Sequence, residues 1–326
     1  MVCSRLIVAA WSIPLLAALA VAQRPEDRSV KDRPEAARSQ EVAPKADPSK
    51  ETEKAEKTEN TEKKGQFLRL VRAGESPRAL ETAIVRYVPM DCGQQGPTVD
   101  LVAAVHVGEK SYYAQLNREF AQYDAVLYEL VAPPESKVPQ AGPSDNPVSA
   151  LQNLMKTMLA LEFQLDRIDY GAANMVHADM SPEQFTRTMN QRGESIFSLF
   201  LRMMGYAMTQ QKGGSKTSDL DLLMALLDKN RALALKRVMA EQFEDMDGSL
   251  AALDGPKGST IVSERNKVAL GVLRKELAGG KQKIAIFYGA GHMADLQRRL
   301  RDDFGLVPIS TRWLVAWNLV SDAQSK

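Results

Sequence analysis

The chain has 326 residues, a formal net charge of +1 and charged side chains at 25% of its positions. That balance leaves no electrostatic footprint for nucleic acid or for an anionic membrane surface. With two cysteines, Cys3 and Cys92, it also excludes a disulfide framework and a thiolate zinc cluster.

Residues 1–22 carry one charge, Arg5, ahead of an apolar-rich run that ends Ala20-Val21-Ala22. This is the layout of a cleavable signal peptide, so the mature protein is expected to be secreted or periplasmic. Membrane contact is expected only through this segment, if it stays uncleaved; Pro14 in mid-run and the small-residue ending favour cleavage. Residues 23–64 hold eleven basic and eleven acidic side chains, four prolines and no aromatic residue. Such a stretch buries too little apolar area to offset the entropy of ordering, and is expected to be a disordered tether. One α/β domain is then expected over 65–326. Cys92, the cysteine left after cleavage, reads as a surface or packing residue.

Gln66–Arg72 and Leu80–Val88 alternate apolar and polar residues about a Gly74/Pro77 turn, which predicts a hairpin at a sheet edge. Thr98–Val107 is a more continuous apolar run and reads as a central strand covered on both faces. Ser111–Tyr123 has helical spacing, and Ala125–Val131 is again a strand, closed by Pro133-Pro134. Strand, helix and strand in so short a stretch predict a βαβ unit with parallel strands.

From about 147 to 278 the pattern turns helical and methionine-rich. Helices are expected at Val148–Phe163, Ser181–Asn190, Ser195–Gln210, Leu220–Phe243 and Ile261–Ala278. Pro182 after Ser181 is a helix-start arrangement. The methionines read as adaptable core packing, or as a pliable groove for a flexible apolar ligand. After Gly279-Gly280 a strand is expected at Lys283–Tyr288, a helix at Met293–Asp303 closed by Gly305, and one or two strands over Leu306–Val320. The expected architecture is therefore α/β: a mixed sheet with a βαβ core, a long methionine-rich helical insertion and a C-terminal αβ half.

Three histidines occur, His106, His177 and His292. His106, Glu129 and His292 each fall near the carboxyl end of an expected strand, and parallel strands bring those ends to one edge. Two neutral imidazoles and a carboxylate suit a borderline divalent metal such as zinc, manganese or cobalt. For each residue alone the plainer reading is a hydrogen-bonded core histidine or a buried ion-pair partner. Gly289 and Gly291 break the strand before His292 and permit a sharp turn and close approach to a ligand. His177 precedes a helix start at which Asp179 or Ser181 reads as the cap; the histidine is a further candidate ligand or proton shuttle. Arg265, within Ser263-Glu264-Arg265-Asn266, reads as a solvated helix residue or as a clamp for a carboxylate or oxyanion. No phosphate-binding glycine loop, H-E-x-x-H or G-x-S-x-G occurs.

The segments VDLVAAVHVGEKSYYAQLNREFAQYDAVLYEL, SERN and FYGAGHMADL resemble the TraB/PrgY/GumN family, which includes the Tiki proteins. That family pairs two G-x-x-H motifs with an intervening glutamate and a downstream arginine. Gly289-Ala290-Gly291-His292 matches the second motif, whereas Ala103-Ala104-Val105-His106 has alanine where the family has glycine. Glu129 and Arg265 fall at the family's glutamate and arginine. The likeness runs from about Gln66 to Val320, with the insertion loosely matched. It implies a mixed α/β fold related to erythromycin-esterase-like and haem-uptake proteins. For Tiki members it implies a divalent-metal-dependent peptidase, and for bacterial members inhibition or clearance of a peptide signal.

The combined expectation is a metal-dependent hydrolase acting on a peptide or protein. His106 and His292 would be ligands, Glu129 a ligand or general base, and Arg265 a substrate or transition-state clamp. A non-catalytic protein that sequesters a peptide or apolar ligand, and a metal-independent esterase-like hydrolase with His106 as base, are the competing readings.

Overall fold

The computed structural model describes residues 67–91, 96–133, 158–195, 198, 219–243, 254–255 and 258–321. The signal-like segment, the charged linker and Cys92 lie outside these residues, as do most of the helices expected at 148–163 and 195–210. So do Met155, Met203, Met204 and Met208 of the methionine-rich insertion.

The alternating segments pair as expected: β1 (Leu68–Ala73) and β2 (Ser76–Pro89) form an antiparallel hairpin. Gly74 takes the left-handed conformation that its turn requires (φ 59°). Next come β3 (Thr98–Ala104), a two-residue strand β4 (Val107–Gly108), helix α1 (Lys110–Phe120) and β5 (Ala125–Tyr128). Strand β6 (Glu162–Phe163) pairs with β4 in a small separate sheet and runs into a single helical turn, α2 (Gln164–Arg167). Strand β7 (Met175–His177) follows, then α3 (Pro182–Gln191), α4 (Asp219–Leu227) and α5 (Arg231–Phe243). A π-helical turn, Thr260–Glu264, leads into α6 (Arg265–Ala278). Strand β8 (Lys283–Gly289) ends in a 3-10 turn, Ala290–His292, which opens α7 (Met293–Phe304); β9 (Leu306–Asn318) closes the fold.

The chain is thus an α/β protein built on a seven-stranded mixed sheet. The order β3-β8-β5-β7 is parallel throughout, while β2 runs antiparallel to β3. Strand β2 spans 14 residues, long enough for β1 and β3 to share one of its edges end to end. Strand β9 runs antiparallel along its other edge. The hairpin is therefore not a sheet edge as a whole, because its second strand lies inside the sheet. Successive residues Ile284, Ala285, Ile286 and Phe287 of β8 are all buried, as helices on both faces demand of a parallel strand. Phe120 of α1 stacks on Phe287 at 4.8 Å between ring centres, and α7 buries Met293, Leu296 and Leu300 at helical spacing. Gly305, left-handed at φ 64°, ends α7 and turns the chain into β9.

Two expectations for the insertion need correction. It is not wholly helical: β6 and β7 belong to it, and β7 extends the main sheet beyond β5. The expected helix over Leu220–Phe243 is two helices. Asp228 Oδ1 accepts from the Asn230 N–H at 2.7 Å, and Asn230 Oδ1 accepts from the Leu233 N–H at 3.4 Å. An Asx turn and a new helix cap therefore break the helix there. Met180, Met189 and Met239 are buried as packing residues, but Met224 on α4 is 61% exposed.

Candidate functional site

Because β3, β8 and β5 are parallel and in register, with Ala104 opposite Gly289 and Tyr128 opposite Phe287, their carboxyl ends reach one edge. His106 lies two residues past β3, Glu129 one residue past β5, and His292 at the end of the turn after β8. The sequence placed these three at strand ends, and there the structure has them.

Glu129 is the centre. Its backbone N–H donates to the Phe287 carbonyl at 3.2 Å, which continues the ladder past the strand. Its side chain is buried and bound through both oxygens: Oε1 accepts from Arg265 Nη2 at 2.8 Å and Oε2 from the Gly289 N–H at 2.7 Å. His292 Nε2 stands 3.5 Å from Oε1. Burial alone would raise the Glu129 pKa, but the Arg265 guanidinium beside it, ahead of the neighbouring His292 and His106, outweighs that effect. The carboxyl is held well below its ordinary range and is ionised at neutral pH.

Gly289 has φ −53° and ψ 142°, which any residue can adopt, so it is not needed for backbone freedom. It is needed for space. A Cβ there would stand 3.3 Å from Glu129 Oε2 and 3.6 Å from His106 Nε2, so carboxylate and imidazole converge on its bare Cα. Ala103 sits in regular β3 structure, fully buried and opposite Tyr288. Its φ is negative, so an alanine fits that position without strain.

Arg265 is also buried. Besides Glu129 it grips Asp179 with two hydrogen bonds, Nε to Oδ1 at 2.9 Å and Nη2 to Oδ2 at 2.5 Å. Its Nη1 donates to the Ile261 carbonyl at 3.4 Å, inside the π-helical turn. Two carboxylates raise its already high pKa against the opposing effect of burial. Arg265 is thus a clamp on protein carboxylates rather than a solvated helix residue. The turn itself is held from outside: Ser263 Oγ donates to Asp254 at 2.7 Å, and Arg192 Nη1 donates to Glu264 at 3.0 Å. Extra residues in π-type turns often re-aim side chains at functional sites.

Asn266 orients His292. Its amide NH2 donates to the His292 carbonyl at 3.2 Å and to Asp295 Oδ2 at 2.9 Å, which turns Oδ1 toward His292 Nδ1 at 2.7 Å. A carbonyl oxygen only accepts, so Nδ1 carries the proton. In its neutral form the ring then turns the Nε2 lone pair toward Glu129. Tyr288 packs edge-on against the ring at 5.1 Å and donates its hydroxyl to the Ala178 carbonyl at 2.5 Å.

His106 is partly buried, and burial lowers its pKa; Glu129 opposes that shift, while Arg265 and His292 add to it. Its ring is neutral at pH 7. His177, on β7, is turned elsewhere: Nε2 donates to the Leu130 carbonyl at 2.6 Å and the ring stacks edge-on against Tyr128. The cluster thus joins His106, Glu129, Arg265 and His292, and the structure adds Asp179 and Asn266. Ser181 is the helix cap, in a capping box with Gln184, and Asp179 serves Arg265.

The fold and site define an α/β protein with a buried carboxylate–guanidinium–imidazole cluster at the carboxyl edge of its parallel strands. No family model, curated protein or solved structure matches the chain.

Proposed function

We propose that this chain is an exported hydrolase of the TraB/PrgY/GumN type, acting on peptide or protein substrates with a divalent metal at His292, Glu129 and His106. The observation that carries the reading is the buried gap of 3.5 Å between His292 Nε2 and Glu129 Oε1, into which a neutral His292 would turn its lone pair. Two donors that each lie about 2.1 Å from one tetrahedral ion stand about 3.4 Å apart. Charge supports a cation as well. One guanidinium against the carboxylates of Glu129 and Asp179 leaves one buried negative charge when both imidazoles are neutral. Nitrogen and oxygen donors of this kind suit zinc, manganese or cobalt.

Such an ion would polarise a scissile carbonyl and acidify a water. The chain's own residues prepare the site. Arg265 and the Gly289 N–H hold Glu129 ionised and fixed in place, and Asn266 aims the His292 lone pair. A carboxylate with so low a pKa is a good ligand and a poor general base, whose pKa belongs near the working pH. His106, neutral and beside the same carboxylate, suits ligation or proton acceptance.

One observation favours a second, metal-free reading. Among the described residues no three or more histidine, cysteine or acidic side chains stand as a ready metal-binding group. There His106 would act as general base, with Glu129 and Arg265 as electrostatic supports. The test is cleavage of an internally quenched peptide library by the full chain, before and after chelation. Cleavage that stops in chelator and returns with zinc, manganese or cobalt supports the metal reading. Cleavage that persists in chelator and is lost in His106→Ala selects the metal-free one, and no cleavage in any condition overturns both.

A further inference from the structure

The two histidines of the cluster are supported unequally. His292 has Asn266 on Nδ1, but among the described residues no hydrogen bond holds the His106 ring. Beside His106 stands Gln164, 6% exposed, whose carboxamide oxygen has no hydrogen-bond partner among the described residues. A buried acceptor left unmade costs free energy, so its surroundings are worth tracing.

Gln164 is registered on His106 by main chain. The β4–β6 ladder pairs Val107 with Phe163 and Gly108 with Glu162, and the Gln164 N–H then donates to the His106 carbonyl at 2.9 Å. Its side-chain NH2 donates to the Tyr170 hydroxyl at 2.8 Å. With the nitrogen end spoken for, Oε1 is the free end of the amide, just as Oδ1 is in Asn266. Nδ1 is the imidazole nitrogen nearer its own main chain, on which Gln164 is anchored. The other nitrogen of the ring, Nε2, faces Gly289 and Glu129.

We propose that Gln164 is the positioning residue for His106: Oε1 accepts from Nδ1–H and leaves the Nε2 lone pair facing Glu129. The two imidazoles are then held in the same tautomer by two amides, Asn266 from α6 and Gln164 from α2. This rests on the hydrolase reading for its purpose, but not for its test. A bare Nε2 on both rings is what a shared cation or a base-catalysed step requires.

The test is long-range proton–nitrogen NMR of the metal-stripped, uniformly nitrogen-15-labelled full chain, with its three histidines assigned by single His→Gln variants. The wild type should show His106 protonated on Nδ1. Gln164→Leu should move His106 toward the Nε2–H form and leave His292 unchanged, whereas Gln164→Glu should keep the wild-type tautomer. Tyr170→Phe, which removes the anchor but not the acceptor, should give an intermediate shift; it carries the same readout if Gln164→Leu does not fold. A His106 ring protonated on Nε2 in the wild type, or a tautomer indifferent to Gln164→Leu and Tyr170→Phe, would overturn the assignment. Where peptide cleavage is present, Gln164→Leu should lower kcat/KM about 10- to 100-fold and Gln164→Glu should restore most of it. The expected tautomers in a chain that cleaves nothing would sink the hydrolase reading and leave the positioning role standing.

Discussion

Replacing Arg265 with methionine removes the cation of the cluster while keeping much of its volume. The guanidinium is 1% exposed and makes three hydrogen bonds to carboxylates, two with Asp179 and one with Glu129. Its loss strands two buried acids. Breaking one side of a buried pair costs about 3–5 kcal/mol, because the remaining charge is left without compensation. At about 2–4 °C per kcal/mol for a domain of this size, Tm should fall by about 6–20 °C. Calorimetry at pH 7.5 on wild type, Arg265→Met, Asp179→Leu and the double variant reads this directly. The double variant removes both ends of the two-bond grip, so it should cost at least about 1 kcal/mol less than the sum of the singles. A fall in Tm under about 2 °C for Arg265→Met, or strict additivity in the cycle, would refute the account of Arg265 as a buried clamp.

Asn266→Leu should cost about 1–3 kcal/mol, since it takes away the acceptor of the buried His292 Nδ1–H. Zinc titration by calorimetry should then read an affinity about 10- to 100-fold weaker than wild type. Gly289→Ala should separate stability from function. Its backbone angles suit alanine, so the fold should lose only about 1 kcal/mol from crowding. The added methyl presses on Glu129 Oε2 and His106 Nε2, and peptide cleavage should drop by about tenfold or more. Acid should destabilise the fold with a defined sign. Burial would raise the Asp295 carboxyl, but Asn266, Arg299 and Arg298 hold it below its ordinary range; burial likewise opposes Thr260 and Arg192, which lower Glu194. The unfolded chain then binds more protons than the folded one. The contribution is complete above the ordinary carboxyl pKa of about 4 and is lost as pH falls through the lower folded values. Tm should be level from about pH 5 to 7 and fall below about pH 4, less steeply in Asp295→Asn.

The parallel core was legible because β3, β5 and β8 are short apolar runs ending in conspicuous polar residues. His106, Glu129 and His292 follow from that pattern once the strands are known to be parallel. What sequence hid was partnership at long range. Asp179 sits two residues before a capping serine and a proline, so its neighbours explain it fully as a helix start. Its actual partner, Arg265, lies 86 residues on. Asn266 was visible only as the last letter of SERN, and nothing local says that its amide faces a histidine at the far end of β8. In sequence Gly289 reads as a turn that lets the backbone approach a ligand, whereas in the structure its missing Cβ makes room for two side chains of this chain, Glu129 and His106. Strand β7 was missed because three residues, Met175–His177, carry no periodicity of their own. They become a strand by pairing with β5. The break between α4 and α5 did have a signal in Asp228 and Asn230, both strong turn and cap formers.

The central claim is that His292, Glu129 and His106 share one divalent cation. The most direct measurement is the metal content of the purified full chain beside that of His292→Ala and His106→Ala, all confirmed folded by calorimetry. The account predicts about one equivalent of zinc, manganese or cobalt in the wild type, and a large loss in both variants. Less than about one-tenth equivalent of any divalent metal in the wild type after incubation with each ion, unchanged in the two variants, would contradict it.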